Sequence, residues 1–136
     1  MKSRGATATM HGAISVVNAI ATGNGSSLGI SLTATARVEL EKGHGVRFLT
    51  GRNEDRLVNN IVRNTLPRTM AEENMVTVSV KSEIPIGFGL KSSSAVSNAV
   101  ALACSRLAAE EVDDIAVLDA AVRASLDARV SITGAY

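Results

Sequence analysis

Residues 82–103, SEIPIGFGLKSSSAVSNAVALA, combine three kinds of sequence pattern in one short segment. The segment begins with the end of a strand-like alternation, continues with Gly87, Gly89, Lys91 and three consecutive serines, and closes with small apolar residues typical of a packed helix. A strand, a glycine turn and a helix in this order leave backbone N–H groups free at the helix N-terminus, where the helix dipole attracts an anion. The segment therefore indicates an α+β domain with a turn suited to phosphate.

The turn contains the chemical groups that a phosphate site needs. Gly87 and Gly89 allow backbone conformations that a side chain forbids. The hydroxyls of residues 92–94 can bond phosphate oxygens or Mg²⁺, and Lys91 adds a positive charge. The spacing is not that of the common P-loop, since Leu90 separates Gly89 from Lys91, and the third glycine of G-x-G-x-x-G is missing. On spacing alone, an ordinary glycine turn before a serine-capped helix is an equal alternative.

Composition and charge limit the classes of partner. The chain has 136 residues, of which 46% are hydrophobic, and this supports one domain over residues 1–136. A formal net charge of +1 and an aromatic content of 2% argue against nucleic acid as a partner, and no apolar stretch approaches the length of a membrane span. Cys104 lies among small apolar residues, which predicts a buried side chain rather than a nucleophile. With no disulfide framework and no signal peptide, we expect a cytoplasmic protein.

Upstream of the turn, the sequence predicts mainly strands. The segment GATATMHGAISVVNAIA at residues 5–21 predicts a strand that ends near Asn18, followed by a polar loop over residues 22–29. Residues 30–40 alternate strictly between apolar and polar, which predicts a half-buried strand. The segment EKGHG at residues 41–45 predicts a hairpin turn into a short return strand, VRFLT.

The hydrophobic period then changes to that of a helix. After Asn53, a suitable helix cap, apolar residues recur every three and four positions until Pro67 ends or kinks the helix. Glu72 and Glu73 are expected in a solvated loop, and residues 75–84 alternate as a strand. Two helices follow the glycine turn, and the acidic pair at residues 113–114 predicts a cap for the second of them. The order of elements indicates helices on one face of a mixed or antiparallel sheet.

Residues 85–95, PIGFGLKSSSA, resemble the second signature of the GHMP kinases, P-x-x-x-G-L-x-S-S followed by small residues. Within that family, VNAIATGNGSSLGISL at residues 17–32 and SITGAY at residues 131–136 resemble the archaeal shikimate kinases, so that the resemblance covers essentially the whole chain. It implies the fold of the N-terminal, ATP-binding lobe of these kinases, which is similar to a ribosomal-protein module. It also implies that the C-terminal lobe is absent from this chain.

The resemblance further implies an activity with its cofactors, ATP and Mg²⁺. Kinases of this kind hold the nucleotide on the glycine-serine turn and transfer its γ-phosphate to a hydroxyl of a small molecule, here shikimate, on the route to chorismate and the aromatic amino acids. The implied nucleotide-binding residues are Pro85, Ile86, Gly87, Phe88, Gly89, Leu90, Lys91, Ser92, Ser93, Ser94 and Ala95. The implied Mg²⁺ contacts are Ser93 and Asp127. The implied shikimate contacts are Asn18, Thr22, Gly23, Ser26 and Thr133.

At its C-terminus the chain departs from the family pattern. The aspartate that orients the attacking hydroxyl in family members would directly follow Tyr136, so that the resemblance implies no catalytic residue within this chain. Because phosphoryl transfer depends on positioning and charge stabilisation, we expect this N-terminal portion to bind nucleotide weakly at best and to be inactive alone. We also expect self-association through the face that the other lobe would cover.

Three other interpretations stay open. Homoserine kinase or another small-alcohol kinase is the alternative within the family, and a split kinase with its second lobe on a separate polypeptide is another. A stand-alone ribosomal-protein-like module would bind RNA, although the near-neutral charge argues against this. Neither His11 nor His44 has a second histidine or cysteine at the spacing of metal ligands, which argues against a metal site. Arginine binds phosphate and carboxylate well, but we expect Arg123 and Arg129 to be surface residues.

Overall fold

The computed structural model describes residues 4–49, 55–109 and 111–127, and their elements confirm the predicted α+β class. The strands are β1 (Arg4–Val17), β2 (Ser26–Lys42), β3 (Gly45–Leu49) and β4 (Asn74–Ser82). The helices are α1 (Asp55–Thr65), α2 (Arg68–Glu73), α3 (Ser92–Ala108) and α4 (Asp114–Asp127). Asn53, Arg129, Thr133 and the rest of SITGAY lie outside the described residues. Within the described ranges, no helix has the length and apolar character needed to cross a membrane.

The four strands form one mixed sheet in the order β1-β2-β4-β3. β2 pairs antiparallel with both β1 and β4, whereas β3 pairs parallel with β4. The predicted hairpin between β2 and β3 is therefore wrong, because β4 lies between them. Val78 of β4 is fully buried and pairs with Val38 on one side and Phe48 on the other, so that β4 lies in the interior of the sheet. A local turn pattern contains no information about which strand is inserted later.

One face of the sheet is buried against the helices, as the alternation of β2 predicts. Ala34, Ala36 and Val38 are fully buried on that face, whereas Arg37 Nη2 and Glu39 Oε1 form an ion pair of 2.8 Å on the open face. Fully burying one aliphatic side chain stabilises a fold by about 1.5–3 kcal/mol. Helix α1 contributes an apolar stripe to the same core, formed by Leu57, Val58, Ile61 and Val62.

Helix α3 lies at the centre of the helical layer because its buried side chains are small. Ala95, Ala99 and Ala103 leave almost no surface exposed, and small side chains allow a helix to approach its neighbours closely. Helix α3 contacts β1, β2, β4, α1 and α4. These contacts on several sides fix the position of its N-terminus, to which the glycine turn leads.

Two predicted helix boundaries are confirmed. Pro67 separates α1 from α2 and occupies the N-cap of α2, where a missing N–H costs no helical hydrogen bond. Asp113 precedes α4, and its Oδ1 accepts a hydrogen bond from the Ile115 N–H at 3.0 Å. This is the geometry of a helix cap.

The predicted loop at Glu72 and Glu73 is wrong, because both residues belong to α2. Arg68 Nε donates to Glu72 Oε1 at 2.6 Å across one helical turn. Such pairs support short helices by a few tenths of a kcal/mol at most. A six-residue helix is too short to show a hydrophobic period. Its charged residues alone are as typical of a solvated loop as of a helix.

Candidate functional site

Residues 83–91 join β4 to α3 through a turn that uses left-handed backbone conformations. Gly87 and Gly89 have φ values of 82° and 71°, which confirms their predicted backbone role. Lys91 follows with φ 56° and ψ 41°, and it is the one non-glycine residue of positive φ within the described ranges. Because a residue with a Cβ rarely adopts this region without compensation, the shape of the turn points to a role beyond chain reversal.

The N-terminus of α3 has no side-chain cap. Lys91 is the N-cap residue and makes no capping hydrogen bond with its side chain, so that the alternative of a serine cap is wrong. The Ala95 N–H donates to the Lys91 carbonyl oxygen at 3.0 Å. Helix geometry leaves the N–H groups of residues 92–94 without an intrahelical acceptor, and the positive end of the helix dipole lies beside them. This arrangement suits a bound anion.

Ser92 is a buried polar residue whose hydroxyl lacks a protein partner. Only 8% of its surface is exposed, and its Oγ makes no hydrogen bond among the described residues. A buried polar group left in this state costs about 1–3 kcal/mol. A hydroxyl held at an open helix N-terminus is well suited to donate to a phosphate oxygen. The fold therefore tolerates here a polar group that a ligand would satisfy.

Ser97 braces the first turn of α3 from inside the fold. It is fully buried, and its Oγ donates to the Ser93 carbonyl at 2.7 Å and lies 3.3 Å from the Ser94 carbonyl. These bonds hold the backbone of the serine segment from the core side, while the Ser93 and Ser94 side chains stay half-buried.

The predicted nucleotide-binding residues form one continuous segment with graded exposure. Residues 85–89 are exposed, including Phe88, and Leu90 and Lys91 are half-buried. Ala95 lies in the core and its N–H already donates to Lys91, so that it contributes packing rather than a free donor. A bound phosphate would therefore meet the middle of the predicted segment, between Gly87 and the serines.

Contacts at both ends fix the turn to the sheet. At its beginning, Ile84 is fully buried and its N–H donates to Ser82 Oγ at 3.2 Å. At its end, the Leu90 carbonyl oxygen accepts a hydrogen bond from the Ala13 N–H of β1 at 3.1 Å. A Cβ placed on Gly12 would lie only 2.8 Å from that same oxygen. The end of the turn thus packs directly on a part of β1 that has no side chain.

The predicted substrate contacts lie in and beside the loop between β1 and β2. Asn18, Thr22 and Gly23 are exposed loop residues, whereas Ser26 begins β2, so that the predicted loop over residues 22–29 is wrong from Ser26 onward. Asn18 Oδ1 accepts the Ile20 N–H at 2.8 Å, a bond that shapes the loop itself. The five residues from the Leu90 anchor on β1 to Asn18 span about 17 Å when extended. The loop therefore lies at the far end of the β1–β2 hairpin, away from the contact of β1 with Leu90.

Sequence reasoning missed two glycines that shape these loops. Gly12 is required by the close approach of Leu90, and a Cβ on Gly25 would lie 3.0 Å from the Val17 carbonyl oxygen and from Ala19 Cβ. For Gly12 the available signal was a single glycine inside an alternating strand, which is typical of a bulge or a close backbone approach. For Gly25 the polar loop composition hid any specific signal.

The predicted Mg²⁺ contacts stand on two packed helices. Ser93 lies in the first turn of α3, and Asp127 is the exposed last residue of α4. No group of three His, Cys, Asp or Glu side chains in the described part of the chain is arranged to hold a metal. Mg²⁺ keeps several waters and takes one or two protein ligands together with substrate phosphates. A hydroxyl beside an uncapped helix N-terminus suits an ion that would arrive with a nucleotide, rather than a permanent metal centre.

Comparison with known protein families identifies the class of protein to which this chain belongs. The sequence model of the GHMP kinases N terminal domain matches residues 56–135, which include β4, the glycine turn, α3 and all of α1 except its first residue. The chain belongs to the GHMP kinases.

Curated relatives narrow the similarity to archaeal shikimate kinases, as the sequence motifs predict. The shikimate kinase of Methanothrix thermoacetophila is 42% identical over 129 residues, which are 95% of this chain and 44% of that protein. The shikimate kinase of Methanocella arvoryzae is 38% identical over 136 residues, or 100% of this chain and 46% of that protein. That of Pyrococcus furiosus is 38% identical over 132 residues, or 91% and 46%. The chain thus spans less than half the length of these relatives.

Solved structures confirm the predicted fold of a GHMP kinase N-terminal lobe. The mevalonate kinase of Methanococcus jannaschii matches with a TM-score of 0.72 at 17% identity, over 98% of this chain and 49% of that one. The homoserine kinase of Cytophaga hutchinsonii matches with a TM-score of 0.70 at 18% identity, over 96% and 44%. At these identities the likeness concerns the fold alone.

Proposed function

We propose that this chain is the nucleotide-binding portion of a kinase that phosphorylates shikimate to shikimate 3-phosphate with ATP and Mg²⁺. The observation that carries the proposal is the buried Ser92 hydroxyl without a protein partner at the uncapped N-terminus of α3. Archaeal relatives named shikimate kinase at 36–42% identity support the choice of substrate. Because the chain spans less than half of these relatives, the complete reaction belongs to the whole protein.

Each residue of the turn has a distinct part in this proposal. The N–H groups of residues 92–94 and the Ser92 hydroxyl bind phosphate oxygens, and the Lys91 ammonium offsets their negative charge. Ser93 and Asp127 would hold Mg²⁺, which would supply neutralisation of the negative charge on the nucleotide phosphates. Asn18, Thr22, Gly23 and Ser26 are proposed to orient shikimate, and Thr133 is proposed for the same role. These residues position and neutralise charge, which is most of what phosphoryl transfer requires of a protein.

Calorimetric titration with Mg-ATP tests whether the turn at residues 83–91, called the phosphate turn below, binds nucleotide. Ser92→Ala removes the hydroxyl, and a charge-assisted hydrogen bond is worth about 1.5–3 kcal/mol, so that we expect Kd to rise by about 10- to 150-fold. The same substitution removes an unpaired buried group, so that the free energy of unfolding should not fall. Ser105→Ala, on the same helix but in its C-terminal half, is the matched control. Wild-type affinity in Ser92→Ala would refute the role of this hydroxyl.

The choice of substrate is tested by a second titration. The nucleotide-loaded chain is titrated with shikimate and, in parallel, with homoserine, because homoserine kinase is the alternative within the family. Heat or an affinity change with shikimate alone supports the proposal. Binding of homoserine alone would reassign the substrate without affecting the phosphate turn.

We also propose that the isolated chain associates with a second copy through the distal part of the β1–β2 hairpin. Ile14 and Leu28 lie directly opposite each other there, and both are exposed, as are Val16, Val17 and Ile20. A group of exposed apolar side chains on one hairpin favours association. Light scattering should give a mass above that of the monomer, and Leu28→Glu should reduce it. A monodisperse wild-type monomer would contradict this proposal.

A further inference from the structure

The contact between β1 and the phosphate turn occurs where the pairing of β1 with β2 is interrupted. His11 lies opposite Thr33, but Ala13 lies opposite Gly29, so that the register shifts at Gly12. At this position β1 is an edge strand, and the Ala13 N–H donates to the Leu90 carbonyl oxygen at 3.1 Å. The irregular part of the strand therefore bonds to the turn.

Both ends of the turn, at Ile84 and at Leu90, lie close to Gly12. A Cβ at this position would lie 2.8 Å from the Leu90 carbonyl oxygen, 3.2 Å from Ile84 Cδ1 and 3.1 Å from Ile30 Cδ1. The isoleucine contacts involve the ends of side chains, which can move, whereas the Leu90 oxygen belongs to the backbone. Since 2.8 Å is far below van der Waals contact, any side chain here must displace the end of the turn or β1 itself.

The bond from Ala13 fixes the orientation of one peptide unit. In a trans peptide the C=O and the following N–H point in opposite directions, and no cis peptide bond occurs within the described residues. When the Leu90 C=O is held toward β1, the Lys91 N–H must point away from β1. This peptide immediately precedes the left-handed Lys91 and the buried Ser92.

We propose that Gly12 is a positioning residue that, with the Ala13 N–H, sets the orientation of the Leu90–Lys91 peptide and thereby the geometry of the phosphate turn. The inference rests on the proposed function, since it assumes that the turn binds the phosphates of a nucleotide. It adds a link between the two loops of the site, because β1 leads directly from Gly12 to the loop at Asn18.

Gly12→Ala tests the steric part of this inference, and Gly29→Ala is its matched control. Gly29 lies opposite Ala13 in the same hairpin, but a Cβ there would meet nothing within 4 Å. We expect Gly12→Ala to weaken Mg-ADP and Mg-ATP binding at least tenfold, and Gly29→Ala to change it less than twofold. Titrations are made at a temperature where circular dichroism shows every variant folded, because a loss of stability alone leaves the affinity of the folded protein unchanged.

Two further measurements separate positioning from a general structural role. In amide NMR spectra, Gly12→Ala should shift the Lys91 and Ser92 resonances, whereas Gly29→Ala should not. Ala13→Pro removes the N–H donor to Leu90 and places the proline ring against the Leu90 carbonyl oxygen, so that it disturbs the same contact without a side chain at Gly12. Ala13→Pro should also weaken nucleotide binding. If Gly12→Ala fails to fold, wild-type affinity in Ala13→Pro would refute the positioning role.

The outcomes distinguish this inference from the proposed function. If wild-type protein and Gly29→Ala bind nucleotide and Gly12→Ala binds equally well, the positioning role is refuted and the phosphate turn stands. If the wild-type chain itself binds no nucleotide, the proposal that this portion binds nucleotide on its own fails, and this inference fails with it. Tenfold weaker binding in Gly12→Ala, with unchanged binding in Gly29→Ala, supports both.

Discussion

Lys91 combines a strained backbone with a charge, and two substitutions separate these properties. Its φ of 56° and ψ of 41° place it in the left-handed region, which costs a residue with a Cβ about 1–2 kcal/mol. Lys91→Ala removes the ammonium but keeps the Cβ and therefore the strain. Lys91→Gly removes both. The two variants should lose nucleotide affinity equally and differ in stability.

The stability difference follows from two opposing effects. Glycine releases the strain of about 1–2 kcal/mol, but it makes the unfolded chain more flexible, which costs about 0.4–1 kcal/mol. With the middle of each range, about 1.5 and about 0.7 kcal/mol, Lys91→Gly should therefore be more stable than Lys91→Ala by about 0.8 kcal/mol, or about 3 °C in Tm for a domain of this size. Glycine is also a better N-cap than alanine, which acts in the same direction.

The binding loss follows from the charge. A hydrogen bond to an ionised partner is worth about 1.5–3 kcal/mol, so that both variants should bind Mg-ATP about 10- to 150-fold more weakly than wild type. Lys81→Ala is the control for net charge, because Lys81 is an exposed residue of β4 outside the turn. Thermal unfolding and calorimetry measure the two effects separately. Equal stability of Lys91→Gly and Lys91→Ala would refute the strain argument, and wild-type affinity in Lys91→Ala would refute the role of the charge.

Two further predictions concern the helical layer. Asp113→Ala should lower the free energy of unfolding, measured by urea denaturation, by about 1 kcal/mol, because it removes the acceptor of the Ile115 N–H. Asp114→Ala loses only an interaction with the helix dipole and should lower the free energy of unfolding by less. A larger loss in Asp114→Ala than in Asp113→Ala would contradict the cap. Burial raises the pKa of the Cys104 thiol from 9.0 to about 12, so that stability should be constant below about pH 8 and fall by about 1.3 kcal/mol by pH 10, since the unfolded thiol ionises first. The comparison is with Cys104→Ala, which should lack this fall; an equal fall in both proteins would exclude Cys104 as its source.

Local patterns predicted the elements that depend on local physics. The alternation in β2 gave the correct buried face, and the period of three and four in α1 gave its buried stripe. The position of β4 between β2 and β3 was not predictable in this way, because it depends on the pairing of distant segments. Turn residues at EKGHG indicate that the chain reverses there, but a reversal leaves open whether the two strands become neighbours.

The candidate site was predictable in composition but not in geometry. Glycine spacing and the serines located the turn, and the positive φ values of Gly87 and Gly89 are those expected of such glycines. The left-handed Lys91 was not predictable, since lysine has no preference for that conformation. The burial of Ser92 and the contact of Gly12 with Leu90 arise from tertiary packing, which no local pattern specifies.

The insertion of β4 between β2 and β3 has a consequence for synthesis on the ribosome. Two of the three strand pairings in the sheet require β4, so that after β3 is made the nascent chain holds only the β1–β2 hairpin. Until residues 74–82 emerge, one edge of β2 stays unpaired, and an open apolar strand edge is a template for aggregation. The intervening α1 and α2 also lengthen the loop that must close before β4 can dock, which slows folding. The vulnerable period of this domain therefore ends with the arrival of its central strand.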